Sequence, residues 1–146
     1  MVAIEHVLHS WNGAPGRHLA EVLVEDDTLR DGLQGAFVRR PTVTEKTELL
    51  ELAAGLGVQF AMLGFPGSSP QELADCATLV AAVDGGRLPV TPRFLARAER
   101  RDLEPIVKLD GGAACDVWAD FFIGVSPLRR YVERWSFDDL RAKIAD

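Results

Sequence analysis

The sequence predicts a parallel α/β fold, and three observations carry that expectation. Short apolar runs alternate four times with helix-like stretches. Several of those stretches open on Ser or Thr with an acidic residue three positions later. Glycine-rich turns separate the units, with no linker or low-complexity tract between them.

The first unit begins with Leu19 to Glu25, an apolar strand that runs into Asp27-Thr28-Leu29-Arg30-Asp31-Gly32-Leu33-Gln34. Residues 1–18 fall outside the pattern and read as an irregular lead-in, leaving 19–146 as the domain. A loop from Gly32 to Pro41 carries the basic pair Arg39-Arg40. Thr42 with Glu45 then forms a capping box, and Leu49, Leu50, Leu52, Ala53 and Leu56 supply an apolar helix face that Gly55 and Gly57 end.

The second unit starts at Val58–Leu63, apolar at nearly every position, as suits a strand covered on both faces. Gly64-Phe65-Pro66-Gly67 turns the chain. Ser69 with Glu72 makes a second capping box, with Pro70 at the favoured first helical position. Leu73, Ala77, Val80 and Ala81 line this helix until Asp84-Gly85-Gly86 stops it.

Leu88–Leu95 is a weaker strand, interrupted by Pro89 and Pro92. Glu99–Leu109 reads as a helix that Pro105 kinks or delays, ending at the turn Asp110-Gly111-Gly112. That Gly pair is too short for a phosphate loop. Val117–Ile123 is the fourth strand, with Trp118, Phe121 and Phe122 expected in the core and Asp120 a candidate polar site residue. Ser136, with Asp139 three residues on, starts a last helix.

Composition narrows the function. The chain has 146 residues, 47% hydrophobic and 26% charged, enough for one core. A net charge of −6 argues against a binder of nucleic-acid phosphates. No apolar run approaches the roughly 20 residues of a membrane span, and the N-terminus lacks the pattern of a signal peptide. Cys76 and Cys115 lie far apart and read as two buried thiols in a reducing, cytoplasmic setting. His6 and His9, spaced i, i+3, could be metal ligands on a helix, but a solvated terminus is the simpler reading.

Adjacent Arg30 and Asp31 at a strand end suit metal-assisted carbonyl chemistry, the Asp holding a divalent cation and the Arg polarising an oxygen or holding a carboxylate. The segment Asp27–Gln34, with Gly57-Val58 running into Gly64-Phe65-Pro66, Ser69-Pro70, and Phe122-Ile123-Gly124-Val125-Ser126-Pro127, resembles the HMGL-like, DRE-TIM metallolyase family. This group, with its pyruvate carboxyltransferase-type domain, includes 2-isopropylmalate synthase, homocitrate synthase and hydroxymethylglutaryl-CoA lyase. The likeness covers roughly residues 20–146.

The resemblance implies four βα units forming about half of a TIM (β/α)8 barrel, since the whole barrel takes about 250 residues. It implies Arg30 as a catalytic residue, Asp31 as a metal ligand for Mg, Mn or Zn, and Gln34 and Ser126 as substrate contacts. Acetyl-CoA and a 2-oxo acid are the implied substrates of a Claisen-type condensation, with lyase-type cleavage as the alternative that Leu33-Gln34 slightly favours. Ser126-Pro127-Leu128-Arg129-Arg130 could hold a CoA phosphate or a substrate carboxylate; a solvated basic turn is the simpler reading.

The chain departs from the family at several points. The implied His-x-His pair is absent, since His6, His9 and His18 all precede the first strand. Met62 stands where a Glu is common, and Arg129 where a His is. A truncated, inactive chain is therefore expected, one that pairs with itself or with a complementary half-barrel.

Overall fold

Side-chain caps start the helices where the sequence places them. In the computed structural model, which describes residues 22–86 and 88–145, the Thr42 hydroxyl accepts from the Glu45 N–H and the Glu45 carboxylate accepts from the Thr42 N–H at 2.7 Å. This box opens α1 (Val43–Gly55). Ser69 accepts from the Glu72 N–H at 3.1 Å and Pro70 begins α2 (Pro70–Gly86). Ser136 and Asp139 cap each other's backbone at the start of α5 (Phe137–Ala145).

The strands are β1 (Glu25–Asp26), β2 (Phe60–Gly64), β3 (Thr91–Arg97) and β4 (Trp118–Phe122). They form one parallel sheet in the order β1-β2-β3-β4. The α/β class is as expected, and sequential parallel strands with helical crossovers are consistent with half a TIM barrel. The lead-in, its three histidines and the start of the first expected strand lie outside the described residues. Val22, Leu23 and Val24 are exposed and precede the short β1.

The core lies between the sheet and its helices. Ala61, Leu63, Phe94 and Ala96 meet Leu50, Leu79, Val83 and Ile106 there. On β3 every second residue is buried, with Pro92, Phe94 and Ala96 inward and Thr91, Arg93 and Leu95 on the opposite face. Pro92 sits inside this strand without cost to the ladder. The Thr91 N–H bonds to the Gln59 carbonyl beside β2, so position 92 faces β4, whose pairing starts only at Arg93.

Several expectations are corrected. On α1 the buried positions are Lys46, Leu50 and Ala54, while Leu49, Leu52 and Leu56 are exposed. On α2 Cys76, Leu79, Val80 and Val83 are buried, whereas Ala77 and Ala81 face out. The third helix, α3 (Arg100–Gly112), runs through Pro105 without a delayed start and includes the expected Asp110–Gly112 turn. The basic turn after Ser126 is a helix, α4 (Pro127–Glu133), capped by Ser126 accepting from the Arg129 N–H at 3.1 Å.

Trp118, Phe121 and Phe122 are not core residues. Each is about half exposed, because β4 is an edge strand with one neighbour. Cys76 is fully buried and desolvation pushes its thiol up to about 12; Cys115 is only partly buried and raised to about 11, again chiefly by desolvation. Among the described residues no helix is long and apolar enough to cross a membrane.

Candidate functional site

Asp26 ends the first strand and shapes the loop that follows it. Its carboxylate accepts from the Thr28 N–H at 3.1 Å and the Thr28 hydroxyl at 2.9 Å, an Asx turn that bends the chain away from the sheet. Leu29 then anchors the loop in the core. The Asp31 N–H reaches back to the Asp27 carbonyl at 2.9 Å, and Asp31–Leu33 makes one turn of 3-10 helix. Arg30 and Asp31 are therefore neighbours beyond the strand end. The expected place of both residues at the C-terminal end of the first strand is corrected: Asp31 opens a short helix, because the Asx turn stops the strand at Asp26.

Asp27 holds Arg30 in place. Arg30 Nε donates to Asp27 Oδ1 at 2.8 Å and Nη2 donates to Oδ2, a bidentate clamp on one edge of the guanidinium. The hydrogen bond that Arg30 donates to Asp27, with the charges of Asp27 and Asp31, raises Arg30 above its ordinary value. Nη1 lies 3.4 Å from Asp31 Oδ1. Arg30 is mostly buried, at 18% side-chain exposure, while Asp31 is open at 63%.

A cavity of about 820 Å³ opens between this loop and the start of α2. Arg30, Gln34, Lys46, Phe65 and Glu72 line it. Lys46 is nearly buried and tied to Asp75 at 2.8 Å and Glu72 at 3.7 Å, so the ammonium joins α1 to α2. Of the residues expected at the site, Arg30 and Gln34 share this cavity. Asp31 lies against Arg30 without lining it, and Ser126 lies elsewhere, capping α4.

On the face of the sheet away from the helices, Arg93 joins three strands. It donates to Glu25 on β1 at 2.9 Å and to Asp120 on β4 at 2.5 Å. Its guanidinium lies over the rings of Phe60 and Trp118, at 5.4 and 5.6 Å from their centroids, and those two rings touch. Asp120, the polar candidate of the fourth strand, thus has a structural partner in Arg93.

Sequence reasoning assigned no role to Asp27 or Arg93. The i, i+3 spacing of Asp27 and Arg30 is a readable signal. The Arg93 network joins residues up to 68 positions apart, so no local signal exists.

The donors among the described residues do not make up a metal site. Among the described residues no group of three His, Cys, Asp or Glu is placed to hold a metal ion. Asp27, the carboxylate nearest in sequence to Asp31 on its N-terminal side, is committed to Arg30.

Fold and loop together define a class: a parallel βα sheet with a Leu-Arg-Asp-Gly loop beyond its first strand, as in the DRE-TIM metallolyase family. The chain is 36% identical over 107 residues to 2-isopropylmalate synthase of Heliobacterium modesticaldum, covering 73% of this chain and 20% of that protein. It is 38% identical over 92 residues to the synthase of a Synechococcus species, 62% of this chain and 16% of the relative. The Aeromonas salmonicida synthase matches at 35% over 83 residues, 57% of this chain and 15% of the relative. No family profile matches the chain. Over this partial region the chain is a homologue of 2-isopropylmalate synthases, and it spans about a fifth or less of their length.

Proposed function

We propose that this chain supplies the arginine corner of a 2-isopropylmalate synthase-like site and does not turn over alone. The observation that carries this is the clamped Arg30, which lines an open cavity and keeps its Nη1 outside the Asp27 clamp, beside Asp31. In a condensation of acetyl-CoA with a 2-oxo acid, negative charge develops on the 2-oxo carbonyl oxygen as the new carbon–carbon bond forms. A fixed guanidinium aimed at that oxygen stabilises the charge without reorganising. Asp27 supplies the fixing, since its two oxygens hold the other edge.

Gln34 lines the same cavity and offers an amide to a substrate oxygen. Asp31 is exposed and is the candidate carboxylate for a divalent ion. One carboxylate is too few donors for a tight site, so no step is routed through a metal here. The remaining donors, and the base that removes the acyl methyl proton, are assigned to a complementary half-barrel. A cytoplasmic setting suits the two free thiols.

The test combines binding and turnover. Purified chain is mixed with acetyl-CoA, several 2-oxo acids and Mg, Mn or Zn ions. The expected result is no metal-dependent CoA release, with weak 2-oxo acid binding that Arg30→Ala removes. Release abolished by Asp31→Ala would overturn the incompleteness of the site. Binding that survives Arg30→Ala would overturn the role of Arg30.

A further inference from the structure

The helices that follow the two outer strands carry opposite unpaired charge. After β1, α1 presents Glu48 and Glu51 to solvent, three residues apart. Among the described residues neither has a cationic partner, and the single lysine of α1 is turned to Asp75 and Glu72 of α2. After β4, Arg130 lies within α4 and Arg134 ends it. Among the described residues neither has a carboxylate partner. Arg130 rests instead on the Phe137 ring, 3.7 Å from its centroid, and reaches the Trp135 carbonyl at 3.4 Å. The chain has 22 acidic residues against 16 basic ones, so two cations left without carboxylates stand out.

The backbone of the same edges is open too. β1 and β4 are the outer strands of a four-stranded parallel sheet, each with one neighbour. Val22, Leu23 and Val24 are exposed before β1, and Phe121 and Val125 are exposed on and after β4. Because the strands are parallel, the free edge of β1 fits the free edge of β4 in a second copy with every strand still parallel. Two such seams, related by a two-fold axis, join two sets of four strands into the eight of a barrel and leave no edge. Neighbouring strands of such a barrel carry neighbouring helices, so this closure sets α4 of each copy beside α1 of the other. Pairing like edges, β4 with β4, would bring the arginines of both copies together and is disfavoured.

We infer that two copies of this chain close one barrel, with Arg130 and Arg134 of each copy facing Glu48 and Glu51 of the other. The charges select the seam, and the apolar side chains supply most of the stabilisation. The half-exposed Trp118 and Phe122 on the inner face are covered by the same closure. This inference rests on the half-barrel reading of the proposed function, but not on the Arg30 corner. A second copy adds no His-x-His pair, so the two chains together gain no turnover.

Sedimentation equilibrium of the full chain at low salt is expected to give twice the 16.0 kDa of the single chain. Glu48→Lys with Glu51→Lys, and separately Arg130→Glu with Arg134→Glu, are each expected to raise the dimer Kd by about tenfold or more, because each puts like charges at both seams. An equimolar mixture of the two variants is expected to regain the parent Kd, since only the mixed pair has opposite charges at both seams. That recovery also shows both variants to be folded. Where Arg130→Glu disturbs its stack on Phe137, Arg134→Glu alone takes its place, with a smaller shift. Glu104→Lys with Asp110→Lys makes the same change in charge on α3, away from both edges, and is expected to leave Kd unchanged. The inference is overturned by a parent of 16.0 kDa, by the α1 variant pairing like the parent, by the α3 variant weakening the pair equally, or by a mixture that fails to recover. A 16.0 kDa parent that binds a 2-oxo acid through Arg30 would remove the pair and leave the corner; a dimer whose binding survives Arg30→Ala would do the reverse.

Discussion

At the level of single residues, Asp102 shows how one buried carboxylate fixes a loop. It is 1% exposed and accepts from Arg97 three times, from Nε at 2.5 Å, Nη2 at 2.9 Å and the backbone N–H at 3.3 Å. Gly67 packs directly on it, and a Cβ there would sit 2.9 Å from the Asp102 Cα. The turn after β2, the end of β3 and the start of α3 therefore meet at this point. Hydrogen bonds from Arg97 hold the Asp102 carboxyl below its ordinary value. A depressed carboxylate contributes stability above its unfolded pKa of about 3.9 and loses it as pH falls through the lower folded value. Asp102→Asn should cost about 1.5–3 kcal/mol in urea unfolding at pH 7, and the deficit should shrink as pH falls well below the unfolded value of about 3.9. A deficit unchanged over that range would refute the charge-based account. Gly67→Ala should cost about 1–3 kcal/mol, because the atom it meets is backbone that cannot step aside. Neither role was legible in the sequence. The Arg97–Asp102 spacing crosses a strand end, where no helical or strand period applies. The Asp27–Arg30 clamp sits within one turn and was there to be read.

At the scale of elements, capping chemistry was legible and facing was not. All three Ser/Thr sites expected to open helices do so, since a cap is decided within four residues. The buried face of α1 was misread because its apolar residues surround the helix. Lys46 is inside because Asp75 and Glu72 of α2 neutralise it there, a partnership about 29 residues away. The same physics predicts unequal leucines. Leu50→Ala should cost about 2–5 kcal/mol, because Leu50 is fully buried among core side chains. Leu52→Ala, on the exposed side, should change stability by no more than about 0.5 kcal/mol. Chemical denaturation of both variants decides this, and equal losses would place the α1 face where the sequence alone suggested. The α/β class, by contrast, was legible because four apolar runs and four helical stretches alternate, and that pattern does not depend on which face is buried.

At the scale of the whole molecule, both edges of the sheet carry exposed apolar side chains. Val22, Leu23 and Val24 lead into β1, and Leu49, Leu52 and Leu56 are exposed on α1. At the other edge, Phe121 and Phe122 stand on β4, with Val125 and Leu128 beyond it. An edge strand also presents unpaired backbone groups. Each large side chain left in water forgoes roughly 1.5–3 kcal/mol, against a typical domain stability of about 5–15 kcal/mol. The sheet is therefore expected to cover its edges, by pairing β4 of one copy with β1 of another or with a complementary half. Size-exclusion chromatography with light scattering should find a mass above the 16.0 kDa of the single chain. Phe121→Asp with Val125→Asp should shift that population toward monomer and increase binding of a hydrophobic dye, because the charges disfavour closure while the remaining apolar edge stays open. A monodisperse 16.0 kDa parent that unfolds cooperatively and binds no dye would show that the sheet tolerates its open edges. The covering proposed here, and with it the complementary half assigned to the Arg30 site, would then fall together.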